Sequence, residues 1–445
     1  MNKFIHFIGI GGISMSGIAK ILLTNGIRVS GSDISESESV AELRELGADV
    51  KIGHKKENIT CQDIVVYTSA VHDDNPEIIA AKEKGIKLID RATMLGYIMK
   101  DYKNAISVAG THGKTTATSM FAYILLAAQT DPTVMVGGKL DGIDGNLRIG
   151  KSDYFITETC EYMRNFLKFF PKVAVILNVE EDHLDYYKDI DDIVDAFTSF
   201  CNLVPSDGIV VVNKENDNAV KSASSTAAKV YSFGFEGADY NAVNITYSDF
   251  GYPSFDIYEN DEFLLHLDLN VVGIHNVLNA TACALAACKM GIDKECIKKG
   301  LEAFTGTKRR FEKKGFVNGA LVIDDYAHHP TEISATINAL KNVNHSSEWC
   351  IFQPHTYTRT ISLLDDFAKA LSKVDNVIIT DIFAAREKDT GIVHSRDLAE
   401  KIDGAVYIKE FEEIAEYIKK NAKEGDVVLT MGAGNVCDIS KLIID

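Results

Sequence analysis

Short apolar runs alternate with stretches of helical spacing along almost the whole chain. In the first hundred residues the apolar runs are KFIHFIGI, IRVSGSD, DIVVYTS and IKLID, with helical stretches between them. Further runs follow at NAISVAG, DYFITET, KVAVILNV and GIVVVN. Because such runs separated by amphipathic helices are typical of parallel sheets covered by helices, the pattern predicts an α/β fold.

The pattern changes once and then returns. The stretch NAVNITYSDFGYPSFDIYENDEFLLHLDL alternates polar and apolar residues, which predicts an antiparallel ribbon, and the helix HNVLNATACALAACKMG follows it. After FTGTKRRFE, strands are predicted at ALVIDDYA, EWCIFQPH, NVIITDIF and DVVLTMGAG, each followed by a helix. We therefore predict three tandem α/β domains, at residues 1–102, 103–308 and 309–445.

Length, charge and cysteine content narrow the class of protein. The 445 residues suit about three domains at roughly 150 residues each. The net charge of −18, without a long basic stretch, argues against a nucleic-acid partner. The eight cysteines contain no Cys-x-x-Cys pair, which favours reduced thiols and a cytoplasmic location. No apolar segment is long enough to insert into a membrane, and the glycines of GIGGISMSG fit a strand, turn and helix better than a signal peptide.

The turn GTHGKTT has the chemistry of a nucleotide phosphate cradle. Gly110 and Gly113 allow the backbone to curl around phosphate oxygens, Lys114 supplies a positive charge, and Thr115 and Thr116 supply hydroxyls for Mg²⁺. Only two residues separate the glycines, where the usual P-loop has four. A strand precedes the turn and a helix follows it, which favours the cradle over an ordinary surface turn.

A second glycine-rich turn opens the chain. In GIGGISMSG the last glycine of the dinucleotide-binding fingerprint is replaced by Ser14, and Asp33 ends the next strand, where an acidic residue would hold a ribose hydroxyl. From these residues alone the turn binds some nucleotide, with NAD as one candidate.

Further stretches extend the pattern towards a known family. NVEEDHLDYY, GIHNVLNATAC, KRRFE, DDYAHHPTEI and QPHTYTRT follow the shortened phosphate turn in order, and together they resemble the Mur ligase superfamily over nearly the whole chain. The resemblance implies an N-terminal Rossmann-like domain, a central P-loop ATPase-like domain and a C-terminal Rossmann-like domain, with KRRFE as the hinge before the last. DDYAHHPTEI and QPHTYTRT are most similar to one branch, whose members join L-alanine to UDP-N-acetylmuramate.

The resemblance also implies an ATP site with Mg²⁺ beside it. The residues that it places at ATP are Gly110, Thr111, His112, Gly113, Lys114, Thr115, Thr116, His275, Asn276 and Arg310. Those that it places at Mg²⁺ are Thr115, Glu158 and His183, and those that it makes catalytic are Lys114, His183, Arg310 and His328. From chemistry alone a histidine is an unusual magnesium ligand, and Asn276 is equally well explained as a residue that starts a helix.

The substrate residues follow from the same resemblance. Those expected at the UDP part of UDP-N-acetylmuramate are Gly11, Gly12, Ser14, Asp33, His54 and Ser69. Those expected at the amino acid are Tyr326, His328, His355 and Arg359, the last because a carboxylate needs a cation. The chain departs from the family pattern at Thr356, where arginine is common, and at Cys160 and Met163, where aspartate is common.

The implied activity is an ATP-dependent ligase that acts through an acyl phosphate in bacterial peptidoglycan precursor synthesis. The nearest alternative is a recycling ligase that adds a preformed tripeptide to the same UDP-sugar. An NAD-linked oxidoreductase, a P-loop binding module and a folate polyglutamate ligase are further alternatives. The choice between alanine and glycine, and the oligomeric state, stay open.

Overall fold

A computed structural model describes residues 3–68, 70–143, 145–184, 186–385 and 387–444. The chain divides into two compact units. The first unit consists of residues 1–118, 128–137 and 142–232, and the second of residues 119–127, 138–141 and 233–445.

The first unit begins with a parallel sheet of five strands in the order β3-β2-β1-β4-β5. The strands are β1 (Phe4–Ile8), β2 (Arg28–Asp33), β3 (Asp49–Ile52), β4 (Ile64–Tyr67) and β5 (Lys87–Asp90). The helices are α1 (Ile13–Thr24), α2 (Glu38–Glu45), α3 (Pro76–Glu83) and α4 (Arg91–Met99). In the register of the sheet Ile8 pairs with Ser32 and Asp33 pairs with Ile52. The carboxyl ends of β1, β2 and β3 therefore meet at one edge, where α/β sheets bind ligands.

Six more strands and three helices follow. The strands are β6 (Asn104–Ala109), β7 (Thr133–Leu140), β8 (Gly145–Arg148), β9 (Tyr154–Glu158), β10 (Val173–Ile176) and β11 (Ile209–Asn213). The helices are α5 (Lys114–Ala127), α6 (Ile190–Cys201) and α7 (Asp217–Ser222). Parallel pairing places β6 between β9 and β10. This position brings the phosphate turn after β6 beside the ends of both neighbouring strands.

The predicted antiparallel ribbon is confirmed in the second unit. The next elements along the chain are β12 (Lys229–Gly234), β13 (Tyr240–Tyr247), β14 (Pro253–Glu259), β15 (Glu262–Asp268), α8 (Ile274–Lys289) and α9 (Lys294–Ala303). Strands β13 and β14 pair antiparallel, as do β14 and β15.

The last sheet has six strands in the order β16-β17-β21-β18-β19-β20. The strands are β16 (Glu312–Val317), β17 (Ala320–Asp325), β18 (Glu348–Phe352), β19 (Asn376–Ile379), β20 (Val406–Tyr407) and β21 (Val427–Met431). The helices are α10 (Pro330–Leu340), α11 (Tyr357–Ser362), α12 (Leu364–Leu371), α13 (Ser395–Ala399), α14 (Phe411–Asn421) and α15 (Asp438–Ile443). Only β16 runs antiparallel to its neighbour; the other pairs are parallel.

Every strand named from the apolar runs is present. Strands β3, β7, β8, β12, β16 and β20 were not predicted. Most of them are short or rich in polar residues, as in EKKGFV of β16, whereas the eight residues of β7, TVMVGGKL, are interrupted by two glycines. Within the described part of the chain no helix is long and apolar enough to cross a membrane. All eight cysteines are free thiols. The predicted domain boundaries stay a prediction.

Candidate active site

The phosphate turn is shaped by two glycines and by side chains from the neighbouring strand end. Gly110 and Gly113 have φ angles of +149° and +83°, which favour glycine. The backbone N–H of His112 donates to Asn178 Oδ1 at 2.8 Å, and Asn178 Nδ2 donates to the His112 carbonyl at 3.1 Å. The Thr111 hydroxyl accepts from the N–H of Glu180 at 2.9 Å. The turn is therefore held open in front of α5, whose N-terminal amides suit phosphate.

Lys114 is paired with a carboxylate that the sequence analysis did not assign to the site. Its Nζ lies 3.0 Å from Glu161 Oε2 and donates to the carbonyl of Thr111 at 3.0 Å. Burial opposes the charge on Lys114, but Glu161 outweighs it and raises the pKa of the lysine. The Tyr187 hydroxyl donates a hydrogen bond to the backbone carbonyl of Glu161. Lys114 is thus charged and lies within the turn.

Thr115 and Glu158 lie together, as the predicted magnesium set requires. The Thr115 hydroxyl donates to Glu158 Oε2 at 2.6 Å. Gly137 on β7 leaves room for this carboxylate, because a Cβ at that position would lie 2.0 Å from Glu158 Oε1. The pair offers two hard oxygen ligands at the start of α5.

His183, the third predicted ligand, belongs to a neighbouring cluster. Its Nε2 lies 3.8 Å from Glu161 Oε1 and 3.8 Å from Asp182 Oδ2. Among the described residues these three form a group with metal-binding geometry, and Glu158 is not part of it. The hydroxyl of Thr115 and the carboxylates of Glu158, Glu161 and Asp182 are the oxygen ligands that Mg²⁺ prefers. The assignment of Thr115, Glu158 and His183 to one ion stays a prediction.

Two of the three departures from the family pattern, Cys160 and Met163, lie in the segment after β9. Cys160 is exposed beside Glu161, and Met163 is 44% exposed with a φ of +53°. Neither side chain offers the oxygen ligand that aspartate would, so Glu158 and Glu161 supply the acidic groups of this loop.

Five of the six residues predicted for the UDP part lie at one edge of the first sheet. The N–H of Gly11 donates to Asp33 Oδ2 at 2.8 Å, and Gly12 is the N-cap of α1. The Ser14 hydroxyl accepts from Arg91 Nη1 at 2.7 Å, a contact that the sequence analysis did not foresee. Asp33 Oδ1 accepts from the N–H of Ile34 at 2.8 Å, so each carboxylate oxygen of Asp33 already accepts one backbone hydrogen bond.

His54 follows β3 at the same edge, and its Nδ1 lies 2.9 Å from the Ser32 hydroxyl oxygen. Ser69, the last predicted residue of this set, lies outside the described residues.

Helix α8 of the second unit begins with the two predicted adenine residues. Asn276 is buried: its Nδ2 donates to the carbonyl of Val272 at 2.8 Å, and its Oδ1 accepts from Asn279 at 3.0 Å. The imidazole of His275 lies over Gly273, where a Cβ would be 2.5 Å from its Cε1. The amide of Asn276 thus supports the helix start, and contact with adenine stays a prediction.

Arg310 joins the predicted residues that follow β17. Its Nη1 lies 3.6 Å from Glu332 Oε1, and its guanidinium carbon lies 5.3 Å from the Tyr326 ring centroid. His328 Nδ1 lies 3.3 Å from the other oxygen of Glu332. Arg309, in contrast, donates from Nε to Asp324 Oδ2 at 3.2 Å, so its side chain supports the fold.

His355 and Arg359 complete this cluster. The rings of His328 and His355 lie 5.8 Å apart, and Arg359 Nη1 donates to the carbonyl of His355 at 2.9 Å. Burial, then the nearby His328 and Arg359, lower the pKa of His355 to about 4. Because both imidazoles have lowered pKa values, they are neutral near pH 7, and the cations of this cluster are the guanidinium groups of Arg310 and Arg359. The Thr356 hydroxyl donates to Glu387 at 2.6 Å, so this departure serves a local bond.

The structure thus brings together Thr115 with Glu158 and Lys114 with Glu161. It also brings together the five predicted residues near the last sheet, which are Arg310, Tyr326, His328, His355 and Arg359. The residues that the sequence analysis missed are Glu161, Asp182, Arg91, Gly137 and Glu332. Glu161 had a local signal, since it lies three residues after Glu158. Asp182 directly precedes His183 and Glu332 lies four residues after His328, whereas Arg91 and Gly137 approach the site only through the fold.

Family models match consecutive parts of the chain. The Mur ligase family catalytic domain matches residues 4–103. The Mur ligase middle domain matches residues 108–287, and the Mur ligase glutamate ligase domain matches residues 309–434.

Relatives are similar over the full length. The UDP-N-acetylmuramate–L-alanine ligase of Clostridium acetobutylicum is 50% identical, over 100% of this chain and 98% of the relative. That of Caldanaerobacter subterraneus subsp. tengcongensis is 51% identical, over 100% of this chain and 97% of the relative.

Solved structures give the same relationship. The UDP-N-acetylmuramate-alanine ligase of Thermotoga maritima has a TM-score of 0.79 at 32% identity, over 98% of this chain and 97% of that one. A murein peptide ligase from Psychrobacter arcticus has a TM-score of 0.68 at 26% identity, over 99% and 98%. The predicted fold class, three tandem α/β domains, is confirmed. By these matches along its whole length, the chain belongs to the Mur ligase family.

Proposed function

We propose that the chain is an ATP-dependent ligase that joins L-alanine to the lactyl carboxylate of UDP-N-acetylmuramate, in peptidoglycan precursor synthesis. The observation that carries this proposal is the 50–51% identity, over the whole chain, to ligases named for that reaction. The recycling ligase is the weaker candidate, since the murein peptide ligase structure is 26% identical.

The chemistry requires a carboxylate to become a better electrophile. Its oxygen attacks the γ-phosphorus of ATP, ADP leaves, and the resulting acyl phosphate is attacked by the amine, which expels inorganic phosphate. Negative charge that gathers on the transferred group is stabilised by fixed donors and cations. Lys114 and the amides at the start of α5 provide these, and Mg²⁺ bound by the oxygen ligands near Thr115 would neutralise further charge.

The two glycine-rich turns divide the work of binding. We assign the turn with Gly110 and Lys114 to ATP, and the turn with Gly11, Gly12 and Ser14 to the UDP handle of the substrate. Both lie in the first unit. Asp33 and the imidazole of His54 stand at the same strand edge as the second turn, and we assign both to the UDP site, although Asp33 Oδ1 also accepts from the N–H of Ile34 at 2.8 Å.

The cluster after β17 and β18 is assigned to the amino acid. Arg359 supplies a guanidinium for its carboxylate, and neutral His328 and His355 leave the amine unrepelled. We propose that the enzyme works in the cytoplasm, where ATP is available and eight free thiols stay reduced.

Phosphate release tests the proposal. The assay contains ATP, Mg²⁺ and UDP-N-acetylmuramate, with L-alanine, glycine, L-serine or the tripeptide L-alanyl-γ-D-glutamyl-meso-diaminopimelate. We expect release with L-alanine and the weakest release with the tripeptide. Preference for the tripeptide would assign the recycling activity instead, and release independent of the UDP-sugar would contradict both.

A further inference from the structure

A carboxylate is buried under the N-terminal nucleotide site without a lysine or arginine partner. Glu77, at the start of α3, has a side chain with 0% exposure, and no Lys or Arg side chain pairs with it within the described ranges. Its polar contacts are with Ser32, Asn58, the N–H of Lys55, and the imidazoles of His6 and His54. A buried charge is costly unless it is hydrogen-bonded or paired, so this network requires an explanation.

Glu77 is ionised in the network. Burial raises the pKa of Glu77, but the imidazole of His6 at 3.5 Å and the hydrogen bonds from Ser32 and Asn58 outweigh it, and the pKa is lowered overall. An ionised carboxylate only accepts hydrogen bonds. Every polar hydrogen that faces Glu77 must therefore point towards it.

This requirement fixes the proton of Ser32. The Ser32 hydroxyl lies 2.6 Å from Glu77 Oε2, and it has a single proton, which it donates to that oxygen. The Ser32 oxygen also lies 2.9 Å from His54 Nδ1. Since its proton is already used, the oxygen accepts from His54, and Nδ1 carries the hydrogen. The Nε2 of a neutral His54 then has a free lone pair.

The second imidazole of the network cannot serve a ligand. His6 is 1% exposed, and its Nδ1 lies 2.9 Å from the Ser30 hydroxyl. His54 is 19% exposed, and its Nε2 has no hydrogen-bond partner in the described part of the chain. The N–H of Gly53 donates to the Asp33 carbonyl at 2.7 Å, which ties the loop of His54 to the end of β2. The exposed member of the network is thus the one beside the proposed UDP site.

We propose that Glu77 is a positioning residue: through Ser32 it holds His54 in the Nδ1–H tautomer, so that Nε2 accepts a hydrogen bond from a uridine nucleotide. The donor is the uracil N3–H or a ribose hydroxyl, since the phosphates at neutral pH offer none. This inference rests on the proposed function, because it concerns the same UDP site.

Nuclear magnetic resonance of the full chain with ¹⁵N-labelled histidine tests the tautomer directly. We expect the pyrrole-type nitrogen of His54 to be Nδ1 in the unchanged protein. In Glu77→Gln, the carboxamide can donate to Ser32, which frees the serine proton for His54, so we expect the Nε2–H form to appear. An Nε2–H tautomer in the unchanged protein would overturn the proposal.

Binding of nucleotides tests the consequence by calorimetry. The probes are UDP, N3-methyl-UDP, 2′-deoxy-UDP and 3′-deoxy-UDP. We expect one analogue to bind about ten-fold more weakly than UDP, and we expect His54→Phe to remove that difference. His266→Phe, which alters another imidazole bonded to a carboxylate in the ribbon, should keep it.

The outcomes separate this inference from the proposed function. If the protein does not bind UDP, the proposed function fails, whereas the tautomer is still decided by the resonance experiment. If UDP and all three analogues bind equally, or if His54→Phe still discriminates, the proposed function stands and this inference is wrong. Because Glu77→Gln alters a buried group, Ser32→Ala serves as a second variant. Without the serine oxygen, His54 Nδ1 has only Glu77 Oε2 at 3.5 Å as an acceptor, so we expect this variant to reduce the discrimination, and its melting temperature shows whether it folds.

Discussion

At the scale of single residues, the position of Glu158 depends on a neighbour that has no side chain. Gly137 faces the carboxylate so closely that any Cβ would overlap Oε1. Glu158 in turn accepts the hydrogen bond of Thr115. The oxygen ligands proposed for magnesium are therefore placed partly by the absence of an atom on β7.

We expect Gly137→Ala to displace Glu158 and to lower kcat about a hundred-fold, because a shift of about 1 Å in a reacting constellation costs that order of rate. Binding of UDP to the N-terminal turn should not change. Steady-state kinetics and UDP calorimetry on the same preparation measure the two effects.

A double-mutant cycle identifies the route of this effect. If Gly137 acts only through Glu158, Gly137→Ala adds nothing to Glu158→Ala. Additive losses would show that the alanine disturbs some other part of the site.

Residue types explain which members of the site were predictable. Gly110, Lys114 and Thr115 form one short local motif, so their roles follow from spacing. Arg91 is 77 residues from Ser14, and no sequence pattern brings them together before the sheet forms.

At the scale of elements, α4 connects the N-terminal glycine-rich turn to the segment that follows Glu161. Arg91 at its start bonds Ser14 of α1, and Asp90, its N-cap, pairs with Lys168 at 3.0 Å. Gly96 of α4 is so close to the turn Tyr162–Lys168 that a Cβ would lie 2.0 Å from the Lys168 carbonyl. The helix thus joins the UDP turn to the segment that follows Glu161.

Arg91 is a cation that the proposed UDP site can use, since it pairs with no carboxylate in the described ranges. We expect Arg91→Met to weaken UDP binding about ten- to hundred-fold, the usual size for a lost charge-assisted hydrogen bond, and to change uridine binding little. Calorimetry with UDP and uridine measures both.

Arg28→Met is the matched control. Arg28 lies at the opposite end of β2 from Asp33 and covers the Phe4 ring, so the variant removes one positive charge away from the ligand edge. Equal weakening by both variants would mean that net charge, rather than the position of Arg91, controls affinity.

Elements with long apolar runs were predictable, whereas short polar ones were not. FIHFI of β1 is buried at every residue, which gives a strong signal. DVKI of β3 buries only its second residue, and it becomes a strand because β2 offers a free edge. Pairing with a neighbour decides such strands, and pairing is not written in the local sequence.

At the scale of the whole molecule, the two proposed nucleotide sites have separate tasks, so a variant in each turn should affect mainly the substrate that this turn binds. We expect Asp33→Ala to raise KM for the UDP-sugar more than KM for ATP. Lys114→Ala should abolish ligation while UDP-sugar binding stays nearly intact. Initial rates with each substrate varied, together with UDP-sugar calorimetry, provide the comparison.

Equal effects of the two variants on both substrates would contradict this prediction. If each variant weakens both ligands equally, the two turns do not divide the substrates as proposed. Asp33 also supports its own turn through Gly11, so Asp33→Asn, which keeps an acceptor oxygen, controls for loss of that support.

Family membership was predictable at this scale because six motifs stand in order along the chain, and the full-length matches confirm it. The side-chain contacts were not predictable, because those of Glu161 with Lys114, Arg91 with Ser14 and Glu332 with Arg310 depend on the packing of distant segments. The order of motifs identifies a family, and the fold decides which carboxylate each cation meets.

The ion pair between Lys114 and Glu161 makes nucleotide entry an exchange of counter-ions. An arriving triphosphate must replace the carboxylate as the partner of the lysine, and the released carboxylate then gains a cation only if the nucleotide brings magnesium with it. Chelated and unchelated ATP should therefore differ in affinity. We expect Glu161→Gln to tighten the binding of metal-free ATP and to weaken metal-dependent turnover, which fluorescence titration with EDTA and rate measurements with magnesium distinguish. A parallel fall in both quantities would mean that the carboxylate does not compete with phosphate for the lysine.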